Sequence, residues 1–98
     1  MTHFKCFGVS ENSNAFGLRG VRLLDREGRF YEVGANSLHT PRRGDVVSVP
    51  MRDGELNFAA CGFEIPVRKF PDAPQGIVDA VWAIETEPEV LTWRRLTS

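Results

Sequence analysis

"DVVSVPMRDGELNFAACGFEIPV", residues 45–67, decides the fold. Its first half alternates. Val47, Val49 and Met51 fall on one face of an extended chain, and Val46, Ser48 and Pro50 on the other. Asp53-Gly54 between two apolar runs marks a hairpin, because both residues accept the positive φ of a tight turn. The return run changes parity. Leu56, Phe58 and Ala60 alternate on even positions, whereas Phe63, Ile65 and Val67 alternate on odd ones. Side chains in a strand have period two, so one continuous strand here needs a bulge or corner at Cys61-Gly62. Corners of this kind curl small sheets and close barrels. Pro50 and Pro66 cannot donate to a ladder, which predicts edge positions for both.

Upstream, the same strand-and-turn grammar repeats. "HFKCFGV" from His3 predicts a first strand, and "ENSN" at 11–14 a loop of turn formers. "AFGLRGVRLL" at 15–24 predicts a second strand, with Gly17 and Gly20 as places for a bulge or bend. "DREG" at 25–28 predicts a turn, and "RFYEVGA" a return strand with Tyr31, Val33 and Ala35 on one face. Downstream, "PDAPQG" at 71–76 ends the β-rich part. "IVDAVWAI" fits two periods. Ile77, Val81 and Ile84 make a helical stripe with Val78 and Trp82 beside it, while Val78, Ala80, Trp82 and Ile84 would serve a strand. Asp72 and Pro74 suit a helix start and favour a short helix near residues 74–84. "VLTWRRL" at 90–96 predicts a last strand.

The expected fold is therefore mainly β: a small antiparallel curled sheet or barrel of about five to seven strands with one short helix. A chain of 98 residues allows one domain, with a β core over 3–70 and an acidic segment plus last element over 71–98. No apolar run reaches the ~20 residues that span a bilayer. The N-terminal residues lack the apolar core and cleavage site of a signal peptide, which points to the cytoplasm and away from membranes. Cys6 and Cys61 are then expected to stay reduced, although a disulfide between them would contribute roughly 4 kcal/mol by closing a long loop. His3, Cys6, His39 and Cys61 lack metal-ligand spacing, so no metal and no cofactor is expected.

Net charge is −1, unevenly spread. Residues 1–71 carry ten Lys/Arg against eight Asp/Glu, and residues 72–89 carry five acids and no base. Three basic clusters result: Arg42-Arg43 in a Pro-Arg-Arg-Gly-Asp turn, Arg68-Lys69 beside Phe70, and Arg94-Arg95 beside Trp93. Arginines on a rigid turn can clamp phosphate or carboxylate bidentately, and bases interleaved with aromatics suit single-stranded nucleic acid. The near-neutral total charge argues against a dedicated nucleic-acid binder. The acids at 85–89 would either be solvated, cover an arginine patch or face a basic partner.

The expected function is a small non-enzymatic binding module for another protein, or for a second copy of itself through exposed strand edges. The alternative is a single-stranded DNA- or RNA-binding barrel using Arg42, Arg43, Arg68, Lys69, Trp93, Arg94 and Arg95. Convergence of these residues on one face would favour it, and scatter or pairing with acids would not. A third reading, a thiol-dependent enzyme, requires Cys61 and His39 in one pocket, yet Cys61 lies in an apolar run.

Overall fold

The computed structural model describes residues 1–36 and 38–86, with the backbone alone over residues 65–67. The strands are β1 (Thr2–Val9), β2 (Arg19–Asp25), β3 (Phe30–Ala35), β4 (Val46–Val49), β5 (Met51–Arg52), β6 (Glu55–Leu56) and β7 (Phe63–Phe70). A 3-10 turn spans Phe58–Cys61, and α1 spans Gln75–Trp82. The main sheet is antiparallel in the order β4-β1-β2-β3-β7, and β5-β6 form a separate ribbon. The expected mainly-β fold with one short helix is what forms. Of the two expected closures, the open curled sheet is realised and the barrel is not, because β4 and β7 do not pair with each other. No helix among the described residues is long and apolar enough to cross a membrane.

Both prolines fall on the edge strands or their ends. Pro50 separates β4 from β5, and Pro66 lies in β7. There Gly34 pairs with Glu64 and Glu32 with Arg68, so β7 is bulged around Pro66. An edge strand tolerates the missing amide because its outer side has no ladder to serve. The Asp53-Gly54 turn is as expected, with φ of 52° and 80°.

Three boundaries differ from the sequence reading. Residues 15–18 are not strand. The Asn14 carboxamide accepts the amides of Phe16 (2.8 Å) and Leu18 (3.1 Å), and Gly17 takes φ 76°, which makes a closed turn before β2. The parity change at 60–62 is not a bulge within one strand. The 3-10 turn ends on Gly62 in the left-handed region and resets the face before β7. Met51 does not continue the Val47/Val49 face, because Pro50 breaks the strand and leaves Met51 48% exposed. The expected strand at 90–96 lies outside the described residues.

The sheet buries both faces, each under a different cover. On the hairpin face, Phe4, Cys6, Val21, Leu23, Val33 and Ala35 pack with Val49, Phe58 and Phe63. The Phe58 ring fills the centre, 5.7 Å from Phe4 and 5.2 Å from Tyr31. On the helix face, Leu24 packs under Val78 and Val81, flanked by Phe7, Phe30 and Trp82. The helical stripe is thus rotated from the expected one. Val78 and Val81 are buried, and Ile77 is 52% exposed.

The β2–β3 turn ties this end together. Asp25 is buried, and its carboxylate accepts the amides of Glu27 (3.0 Å) and Arg29 (2.7 Å) and the Arg29 Nε–H (2.6 Å). That last bond raises the Arg29 pKa above its ordinary value, with partial burial opposing it. Gly28 follows at φ 93°, and a Cβ there would stand 2.6 Å from the Ala73 carbonyl oxygen. Only glycine admits this approach, which lets Ala73 N–H donate to the Gly28 carbonyl and lead the chain into α1.

Candidate functional site

The helix covers only part of its face. Beyond Phe7 and Leu24, β1, β2 and β3 present Gly8, Gly20 and Gly34, with Gly20 directly opposite Gly34. Three glycines in a sheet leave a low floor, and here the floor lies beneath clefts of about 600 and 190 Å³. A third concavity of about 510 Å³ continues over the end of the sheet toward the Arg42-Arg43 turn. The three share lining residues: Val9 and Ser10, Arg19, and Asn14 with Leu18 and Gly20. The first two form one trough on the helix face, and the third is a separate cleft that adjoins it at the sheet end.

Charges line it in a definite order. Glu32 stands in the middle, ion-paired to Arg22 at 3.2 Å and Arg68 at 3.8 Å. Both arginines also reach toward the Phe70 ring, at 5.9 and 5.6 Å from its centroid. Glu64 stands beside them at the β7 end. At the opposite corner, Arg19, Arg42 and Arg43 line the third cleft together with Glu11.

The trough wall is the 10–18 loop, and its hydrogen bonds fix it. Ser10 Oγ accepts the Gly20 amide at 2.8 Å and donates to the Asn12 carbonyl at 3.1 Å. Asn14 N–H donates to the Leu18 carbonyl, and the Asn14 side chain closes the turn described above. Leu18 folds down onto Gly34, and Phe16 at the tip is left 87% exposed. A hydrogen-bonded loop thus holds a phenyl ring in water, and Leu38, in the loop before Arg42, is exposed to the same extent.

Of the residues singled out by sequence, Arg68 lines the trough, Arg42 and Arg43 line the adjoining cleft, and Lys69 lines neither. Arg68 and Lys69 are neighbours on β7 and project to opposite faces. Lys69 pairs with Tyr31, its ammonium 5.9 Å from that ring. Arg43 donates from Nε to the Phe7 carbonyl at 3.2 Å. The Arg42-Arg43 turn is clipped by Arg42 N–H to Asp45 Oδ2 (2.8 Å) and Asp45 N–H to the Arg42 carbonyl (3.0 Å). The backbone of Glu85 and Thr86 lies against Gly44, which brings the start of the acidic segment to the arginine turn, and residues 87–89 lie outside the described residues. Trp93, Arg94 and Arg95 lie outside the described residues.

Sequence reasoning missed Phe16, Arg19, Arg22 and Glu32. Asn14 with Gly17 was the available signal for the Phe16 turn, since both are turn formers. The other three are ordinary strand residues, and only pairing brings them together.

The thiols take a different role. Cys6 and Cys61 are not joined in a disulfide. Cys61 Sγ donates to the Ser48 carbonyl at 3.3 Å, and burial pushes its pKa up. A nucleophilic cysteine needs the opposite shift. The His39 ring rests on Gly62, with its Nδ1 held 3.0 Å from Asn36 Oδ1. Among the described residues, no three His, Cys, Asp or Glu side chains gather as metal ligands.

Set beside protein-family models, curated proteins and solved structures, the chain matches none.

Proposed function

We propose that this domain is a non-enzymatic binding module for another protein, and that the trough is where the partner sits. The observation that carries this reading is Phe16, left exposed on a hydrogen-bonded turn of the loop that walls a cleft also lined by Arg22. Aromatic and arginine side chains dominate the energetics of protein interfaces, because they bring large contact area and directional hydrogen bonds. A rigid anchor also binds at a lower entropic cost than a mobile one.

The charge order supports a protein over a nucleic acid. A phosphate backbone laid along the trough and into the adjoining cleft would meet Glu11, Glu32 and Glu64 among the arginines. A polypeptide can match mixed signs residue by residue. Lys69 on the other face adds nothing to a continuous cationic track.

The test is a photo-crosslinking residue placed at position 16, with position 77 on α1 as the exposed control. In cells producing the protein, position 16 is expected to give a discrete protein adduct that position 77 does not give. Adducts to nucleic acid alone, or the same adducts from both positions, would overturn the reading.

A further inference from the structure

We propose that the partner in the trough is a second copy of this chain, with the Phe16 ring of each copy seated on the glycine floor of the other. This rests on the protein-binding reading and names the partner at that site.

One loop builds both halves of the contact. The turn that Asn14 closes sends Leu18 inward onto Gly34 and leaves Phe16 87% exposed. Asn14 and Leu18 wall the trough, and Phe16 stands outside it. Leu18 covers the Gly34 part of the floor, 3.3 Å from where a Cβ would stand. Over Gly20 the floor stays open, because a Cβ there would meet nothing nearer than Glu32 at 3.7 Å. That opening belongs to a cleft of about 600 Å³, ample for a phenyl ring. A projecting ring beside an open floor is what a two-fold contact requires. In such a contact one patch faces itself, so every knob must find its hole on an identical surface. A different protein would have to bring both a hole for Phe16 and a knob for the floor. A second copy brings both.

The lining suits an aromatic ring. Arg22 runs its aliphatic stem along Gly8, with carbons 3.8 to 4.0 Å from where a Cβ would stand, and its guanidinium lies 5.9 Å from the centre of the Phe70 ring. An incoming phenyl meets the same stem and the same cation. Charge permits the approach. With a net charge of −1, two copies repel each other little at a distance, and Arg22 with Glu32 gives each lining both signs. Area sets the strength. Two rings take about 150–250 Å² each out of water, well short of the ~1,200 Å² total of a stable interface. A weak, concentration-dependent dimer is the expected result.

The experiment is sedimentation of the purified full chain at rising concentration, up to ~1 mM. Reversible dimerisation is expected. Phe16→Ala removes the knob and Gly20→Phe fills the hole, and each should weaken the dimer about tenfold or more. Leu38→Ser should not, because Leu38 is as exposed as Phe16 and lines neither cleft of the trough. The two weakened variants should associate with each other, since the Phe16 of one meets the open floor of the other. Unlabelled Gly20→Phe is therefore expected to move the Gly8, Gly20 and Arg22 amides of labelled Phe16→Ala, and unlabelled Phe16→Ala is not. Amide spectra establish that each variant folds, and Gly20→Leu is the milder filler. A chain that stays monomeric at ~1 mM, a dimer indifferent to Phe16→Ala, or folded variants that fail to associate on mixing overturn the second copy as partner. The position-16 crosslink in cells then still decides the protein reading. A crosslink that gives neither a self-adduct nor an adduct to a different protein overturns both.

Discussion

The two halves of the helix face are built from the same three central strands and end in opposite states. Near the β2–β3 turn the strands present Phe7, Leu24 and Phe30, and α1 closes over them. At the other end they present Gly8, Gly20 and Gly34, and a trough remains. Side-chain size in the sheet accounts for the difference. Large apolar groups must be taken out of water, which recruits a helix. Glycines offer nothing to bury, so no cover is drawn over them, and the charged residues beside them keep their solvent. One half holds the fold together, and the other is available for recognition.

Substitutions in the two halves should separate accordingly. The largest effect is expected from Leu24→Ala, fully buried beneath Val78 and Val81. It should cost about 2–5 kcal/mol in a denaturant melt. A loss below ~1 kcal/mol would mean that α1 contributes little and that the two halves do not differ as described. Asp25→Ala comes next. It leaves two turn amides and the Arg29 guanidinium without their acceptor, which should cost about 2–3 kcal/mol.

In the open half the sign should change. At Gly20, φ is ordinary and a Cβ would meet its neighbours at 3.7 Å or more. Gly20→Ala should therefore stabilise the fold by about 0.4–1 kcal/mol through the unfolded chain, while raising the trough floor and weakening partner capture. Destabilisation by this change would break the comparison, because it would make the glycine floor a structural necessity. Glu32→Gln removes two solvent-facing ion pairs and should change stability by about 0.2–1 kcal/mol, with the effect fading as salt is added. Phe16→Ala should leave the thermal midpoint nearly unchanged, within about 0.5 kcal/mol, yet abolish partner binding in a pull-down with the crosslinked protein.

Much of the fold was legible from local rules. The alternation of Val47 with Val49 and of Tyr31, Val33 and Ala35 marked strand faces that are indeed turned toward the core. The parity change after Ala60 calls for a bulge or a corner at Cys61-Gly62, and the corner is what forms, as a 3-10 turn that ends on left-handed Gly62. A 3-10 turn and a one-residue bulge both shift parity, and the sequence alone does not separate them. Residues 15–18 misled because "AFGL" has the apolar content of a strand, and the Asn14 carboxamide decides otherwise by taking two of its amides. The site was less legible still. Arg42 and Arg43 stood out as a pair, but Arg19 joins them only because the fold sets the start of β2 beside residues 40–43.

By itself, the sequence determined the class of the fold, the Asp53-Gly54 hairpin and the confinement of Pro50 and Pro66 to sheet edges, while the stretch after Pro74 fitted helix and strand alike until α1 formed over Leu24. These follow from steric limits on φ and from side-chain periods that act over a few residues. Only the tertiary structure decided that β1 sits between β2 and β4, pairing His3 with Ser48 across most of the chain's first half. It also decided that the helix stripe turns to Val78 and Val81, and that Gly20 meets Gly34 under a cleft. Those outcomes depend on which distant apolar surfaces bury one another, and local preference does not encode that choice.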